Sequence, residues 1–399
     1  MIKFSSWPNY SKEEADIAKN IIASNKVNYW TGNQCLEFEN EFCKLTNTKF
    51  AIALSNGTVA LELALKAIGI KNGDEVIVTP RTFIASASSI IISGGVPIFA
   101  DVDMDSQNIS PSSIKKVITK KTKAIICVHL AGWPCEMDEI MKIAKEHQLY
   151  VIEDCAQAHG ARYKGNSVGS IGHIGCWSFC QDKIMTTAGE GGMITTNNKH
   201  IWKKIWSLKD HGKSITAINR QKNSSGFSWI HDSFGTNARM TEVQAAIGRY
   251  QIKKLHEWSL RRKENLKMIY KTCNNFSALR VPKLECQSCF GCHGDNGCSH
   301  AAYRAYVFVN QKRLKKGWNR NRILDEINKK GIPCFEGSCS EVYLEKAFKD
   351  NKLKPKKRLL NAKVLGETSI AFLVHPSITK SEIKKTCRII SSVMSYASK

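Results

Sequence analysis

The sequence predicts an α/β protein built on a mostly parallel sheet, and two observations carry that prediction. Between residues 50 and 200, short apolar runs alternate with amphipathic stretches, the pattern of strands joined by crossover helices. The informative polar residues sit where those runs stop, at the strand ends where parallel sheets gather ligands.

In order, the run at 50–54 precedes a helical pattern at 59–68, the run at 75–79 precedes 85–93, and 122–129 precedes 137–147. The run at 149–152 then closes on Glu153-Asp154. A further strand is expected at 193–196, with a helix continuing to about 208. Residues 210–235 are polar and read as a long functional loop. Apolar spacing predicts a helix over 240–256, and a strand-like run follows at 303–309. The expected organisation is a large domain over 1–255 and a smaller C-terminal α+β domain over 256–399.

A chain of 399 residues that is 42% hydrophobic can bury a full core. The first residues lack the apolar stretch of a secretory signal, and the most apolar segment, 84–100, is broken by Ser, Gly and Pro. A cytoplasmic protein with reduced thiols is therefore expected despite 15 cysteines. The net charge of +24 invites a nucleic-acid reading. The lysines are spread along the chain without a recognisable binding module, so that reading is set aside. A basic surface still helps to attract an anionic metabolite.

Three features at the strand ends carry chemistry. Asn56-Gly57-Thr58 stands between a strand and a helix, where free amides and the helix dipole suit a phosphate. A plain helix cap explains the same residues equally well. Asp154 ends an apolar run, placing a carboxylate where it can keep a ring nitrogen protonated. A strand-end acid paired with a structural cation is the plainer reading. Lys183 follows Ser178 by five residues and precedes Gly189-Glu190-Gly191-Gly192. Free lysine has a pKa of about 10.4. Partial burial beside another cation is expected to lower it and free the amine as a nucleophile. Cradle, acid and lysine in this order are what a pyridoxal phosphate enzyme needs.

The ordered set Ser55-Asn56-Gly57-Thr58, Thr82-Phe83, Glu153-Asp154-Cys155-Ala156-Gln157, Ser178 through Lys183, and Asn237-Ala238-Arg239-Met240 resembles the DegT/DnrJ/EryC1/StrS aminotransferases. The resemblance runs through Leu373-Val374-His375-Pro376. It implies the type I fold of pyridoxal phosphate-dependent transferases and the amination of a nucleotide-linked keto-deoxysugar, with a 4-keto-6-deoxy sugar expected and a 3-keto sugar the alternative. Glutamate is the implied donor, and the product would enter lipopolysaccharide, capsule or another glycoconjugate. Lys183 matches the lysine that bonds the cofactor and shuttles the proton. Asp154 matches the partner of the pyridine nitrogen, Gln157 the neighbour of the ring oxygen, and Phe83 the aromatic stacked on the ring. Gly57, Thr58 and Ser178 match phosphate contacts. Asn237 matches a residue reaching the phosphate of the other subunit, implying a homodimer with shared sites. Family dehydratases carry His at the position of Lys183, which favours transamination over that alternative. An intact lysine and carboxylate also weigh against a non-catalytic regulatory protein.

Some positions depart from the family pattern. Ala188 stands where Gly is frequent, Ala302 and Arg304 replace a usual Tyr and Lys, and Ala238 replaces an aromatic residue. Cys286, Cys289, Cys292 and Cys298, with His293 and His300, have residue types and spacings suited to a structural zinc. Spacing alone does not fix a tetrahedral site, so a reduced loop is the expectation and no catalytic metal is implied. His159 and His375 are the histidines worth testing at the site, although packing is the plainer role for each.

Overall fold

The computed structural model describes residues 4–221, 229–284 and 297–399. The chain opens with α1 (Lys12–Ala23) and α2 (Gln34–Thr46), which the apolar pattern did not single out. Then β1 (Phe50–Leu54), α3 (Gly57–Ala67), β2 (Glu75–Val78) and α4 (Ala85–Ile92) follow the expected alternation. A strand that was not expected, β3 (Val96–Phe99), forms inside the apolar 84–100 segment, after Gly94 and Gly95 end α4. The series continues through α5 (Pro111–Val117), β4 (Thr122–Val128), α6 (Met137–Glu146) and β5 (Tyr150–Asp154). A two-stranded ribbon, β6 (Arg162–Tyr163) and β7 (Asn166–Ser167), leads to β8 (Ile174–Ser178) and β9 (Gly192–Thr196).

The seven-stranded sheet has the order β1-β9-β8-β5-β4-β2-β3. All neighbours pair parallel except β9, which runs antiparallel to both β8 and β1. The run Ala124–Val128 of β4 is fully buried, as expected of a central strand covered on both faces. Because β1, β2, β5 and β8 point the same way, their carboxyl ends line one edge of the sheet. Residues 55–58, 79–83, Asp154 and Ser178 are brought to that edge by topology alone.

Helix α7 (Lys199–Lys209) follows, and the polar segment after it contains α8 (Ile215–Gln221). Helix α9 (Glu242–Cys273) has 32 residues, about 48 Å at 1.5 Å per residue. It starts at a capping box in which Thr241 and Gln244 satisfy each other's backbone amides. Its first half packs Ala245 and Leu255 against Phe38 and Phe179. Its second half packs Leu266 and Ile269 against the C-terminal core. The expected division after residue 255 falls inside this helix.

A second sheet, in the order β10-β11-β13-β12, joins β10 (Leu279–Arg280), β11 (Arg304–Val309), β12 (Cys334–Phe335) and β13 (Ser369–Leu373). It is antiparallel throughout and flanked by α10 (Arg320–Lys329) and α13 (Lys380–Ala397). Two further helices, α11 (Lys346–Asp350) and α12 (Leu360–Thr368), pack Phe348 and Leu365 into neighbouring clusters. Among the described residues no helix is long and apolar enough to cross a membrane.

Candidate active site

The carboxyl edge of the large sheet opens into a cavity of about 590 Å³ whose wall includes Gly57, Thr58, Asp154, Gln157, Ser178 and Lys183. An adjoining cavity of about 640 Å³ shares Thr82, Phe83, Gln157, Asp182 and Lys183 with it and continues outward to Arg304, Phe335 and Cys339.

Asn56 caps α3, accepting from the Val59 amide at 2.9 Å. Gly57 and Thr58 therefore open the helix with first-turn amides that lack intrahelical partners. A Cβ on Gly57 would lie 2.6 Å from Ser178 Cβ, so only glycine lets the β8 end close against the helix start. The plain-cap reading of Asn56 and the cradle reading of Gly57-Thr58 thus describe neighbouring residues of one structure.

Asp154 ends β5 and is buried. Its oxygens accept from Ser86 Oγ at 2.7 Å and from the Ala156 amide at 3.1 Å. Ser86 is itself in contact with Thr82 Oγ1 at 2.8 Å. Burial raises the carboxyl above its ordinary range, and these hydrogen bonds and Lys183 offset only part of that rise. The structural cation of the plainer reading is not there: among the described residues Asp154 forms no ion pair. Gln157 accepts from the Ala131 amide through Oε1 at 2.8 Å, which fixes its carbonyl and leaves its Nε2 donors to the cavity. Phe83 is 68% exposed, an unusual state for Phe and one that leaves a ring face open to the cavity.

Lys183 corrects one expectation. Burial does disfavour its charge, but Tyr303 and Asp182 outweigh that effect, and the amine's pKa lies above its ordinary value. Asp182 Oδ1 stands 3.3 Å from Nζ, and its other oxygen accepts from the Tyr303 hydroxyl and lies 3.9 Å from Arg304. Asp182 itself is held below the usual carboxylate range: burial opposes its charge, and Lys183 with Tyr303 prevails. The nearest charge to Lys183 is thus an acid, not the neighbouring cation expected. Nothing in the spacing of Asp182 announced this, since adjacent residues seldom face each other unless a tight turn holds them.

Asn237 does not line the cavity of its own chain. It is exposed and bridges to Asp210, and its Oδ1 accepts from the Arg239 amide at 3.5 Å. His159 is fully buried against Trp177 and Phe179, with both ring nitrogens unpartnered. Burial takes its pKa down to about 3, so it packs as a neutral ring. His129 and Glu153 form a buried pair at 3.0 Å, and the Glu153 oxygens also accept from the amides of Gly169, Ile171 and Gly172. That knot fixes the loop after β7 beside Asp154. Cys155 lies near both groups, but these commitments leave Glu153 little capacity for a metal.

Of the zinc candidates, Cys286, Cys289 and Cys292, with His293, lie outside the described residues. Cys298 accepts from the Lys164 amide at 3.4 Å, and His300 Nδ1 accepts from the Ala302 amide at 2.9 Å. Ala188 and Ala302 both adopt left-handed backbone, at φ 60° and 53°. The departure from Gly at 188 therefore occupies a conformation that disfavours a side chain.

A model of the DegT/DnrJ/EryC1/StrS aminotransferase family matches residues 8–391. The chain belongs to that family. An uncharacterised protein of Methanocaldococcus jannaschii is 37% identical over 366 residues, 91% of each chain. The GDP-perosamine synthase of Escherichia coli O157:H7 is 41% identical over 268 residues, covering 67% of this chain and 70% of its own. The crystal structure of an aminotransferase from Psychrobacter cryohalolentis superposes with a TM-score of 0.95 at 55% identity, covering 98% of this chain and 99% of the other. The chain is a pyridoxal phosphate-dependent aminotransferase whose relatives include sugar aminotransferases. The cavity fits that cofactor on observations of its own residues. A cradle that a Cβ would fill, a buried acid lacking a cation, and a primary amine share one enclosure.

Proposed function

We propose that this chain aminates a nucleotide-linked keto-deoxysugar, a 4-keto-6-deoxy sugar in the first place, with glutamate as donor. The product would serve lipopolysaccharide, capsule or another glycoconjugate. The observation that carries the reading is the meeting of Lys183 and Asp154 in one cavity with the Gly57-Thr58 helix start. The relatives named for GDP-perosamine and for a dTDP-amino sugar support the substrate class.

In this reading the amides of Gly57 and Thr58, with Ser178 Oγ, hold the phosphate, and Phe83 offers its open face to the ring. Asp154 supplies the negative charge for the ring nitrogen, oriented by Ser86, while Gln157 donates toward the ring oxygen. Pyridoxal phosphate, when bound, supplies an aldehyde that condenses with amines and a ring that withdraws electrons. Lys183 is the amine that engages it and then carries protons at Nζ. When Nζ gives up its charge, Asp182 keeps Tyr303 and Arg304 as partners, so the acid is not stranded. Asn237, exposed and outside its own cavity, is assigned to the partner subunit's phosphate in a homodimer. Lys183 favours amination over dehydration, because the family's dehydratases carry His there.

The test is a mass-spectrometric screen of nucleotide keto-sugars incubated with glutamate and the loaded enzyme. An aminated sugar formed with 2-oxoglutarate is expected, and Lys183→Ala should abolish it. Normal turnover by Lys183→Ala rejects the mechanism, and a dehydrated, unaminated sugar selects the dehydratase.

A further inference from the structure

A third cavity, of about 280 Å³, shares Asp182, Tyr303, Arg304 and Phe335 with the outer cavity over Lys183. Its remaining wall includes Trp7, Arg262 and His375. Arg262, near the middle of α9, is only 2% exposed. Its Nε has no partner, and among the described residues its guanidinium makes no hydrogen bond or ion pair. The group rests 5.0 Å over the Trp7 ring, and Trp7 is anchored by donating Nε1 to the Lys183 carbonyl at 2.7 Å. Burial, then the charge of Arg304, takes the Arg262 pKa down to about 9.

A buried cation without a counter-charge is costly. The comparison within the molecule is Arg81, also fully buried, which donates to Gln107 Oε1 at 2.9 and 3.1 Å and to the Ser338 carbonyl at 3.4 Å. Around the small cavity the positive groups are Arg262 and Arg304. The negative group is Asp182, already committed to Lys183 and Tyr303. His375 adds no charge. Burial, Arg262 and Arg304 take its pKa down to about 3, and its Nδ1 is bonded to Ser377 Oγ at 2.8 Å. The wall is therefore one negative charge short.

A planar guanidinium matches a carboxylate by two parallel hydrogen bonds. The cavity is below the usual range for drug-sized ligands, which suits part of an amino acid better than a nucleoside diphosphate. We propose that Arg262, with Arg304 beside it, binds a carboxylate of the amino-acid donor, making this small cavity the donor subsite next to Lys183. The inference rests on the reading above that glutamate is the donor, and it assigns a specificity role to Arg262.

In the holoenzyme, Arg262→Gln should raise KM for glutamate about 10- to 100-fold, the loss expected for a charged hydrogen-bonded pair. KM for the nucleotide keto-sugar should stay unchanged, and Arg262→Lys should recover part of the loss. Glutarate, a dicarboxylate with no amino group, should compete with glutamate in the wild type. By calorimetry, its affinity should fall in Arg262→Gln by a similar factor. If Arg262→Gln does not fold, Arg304→Gln at a partly exposed position carries the same test, with a smaller rise in glutamate KM. A folded variant with unchanged glutamate KM and glutarate affinity overturns the subsite while sugar amination stands. Weakened binding of UDP or GDP with unchanged glutamate KM assigns the cavity to phosphate and also overturns it. Failure of the wild type to aminate any keto-sugar from any amino acid instead sinks the functional reading beneath it.

Discussion

Lys183 must be uncharged to act as a nucleophile, yet its nearest charged neighbour is an acid that keeps it protonated. The raised pKa means that the neutral amine becomes abundant only as pH rises, so capture of the cofactor should accelerate toward alkaline pH. Asp182→Asn removes the stabilising charge while leaving burial, which lowers an amine's pKa. The pH profile of cofactor loading, followed by absorbance, should therefore move to lower pH in Asp182→Asn. A profile that stays put or moves up would show that Asp182 does not set the charge of Lys183. At this scale the sequence was legible where polar residues stand in a set order at strand ends, as for Asp154 and Lys183, which the fold brings to one cavity. It was silent on Asp182, Tyr303 and Arg262, whose roles arise from a tight turn beside Lys183 and from contacts between segments far apart in the chain, such as Tyr303 with Asp182 across 121 residues.

Among the elements, the join between β8 and the start of α3 is the tightest part of the site. A methyl group added at Gly57 would meet Ser178 Cβ at 2.6 Å, a separation that side-chain rotation alone cannot relieve. Gly57→Ala should weaken cofactor affinity at least about tenfold through displacement of the first-turn amides. Unaltered affinity, measured by equilibrium dialysis of pyridoxal phosphate, would remove the helix start from the phosphate site. The alternating strands and helices were readable because β4 and β5 contain the apolar runs 124–128 and 150–152 and α6 is strongly amphipathic. Strand β3 was not, because it shares one apolar stretch with α4 and periodicity does not separate two short buried elements. The reversed direction of β9 is likewise absent from local pattern. The connection between β8 and β9 carries Lys183 and forms no helix, so β9 folds back beside β8 rather than crossing over.

For the whole molecule, the exposure of Asn237 outside its own cavity motivates the shared-site homodimer. If each site takes Lys183 from one subunit and Asn237 from the other, two inactive variants should complement. Mixing Lys183→Ala with Asn237→Asp subunits under exchange creates mixed dimers in which one site carries both native residues. About a quarter of wild-type activity should return with random pairing of two-fold dimers. No recovery, with exchange verified by mass, would place all site residues within one chain. The polar segment at 210–235 was legible as a break in the alternation of strands and helices, but the helix α8 inside it is beyond what its composition specifies.

All these roles depend on Lys183 being the amine that holds pyridoxal phosphate. Borohydride reduction of the loaded enzyme, followed by peptide mapping, reads this directly. The pyridoxyl group should be found on Lys183 and should vanish in Lys183→Ala, and its recovery on any other lysine would contradict the account.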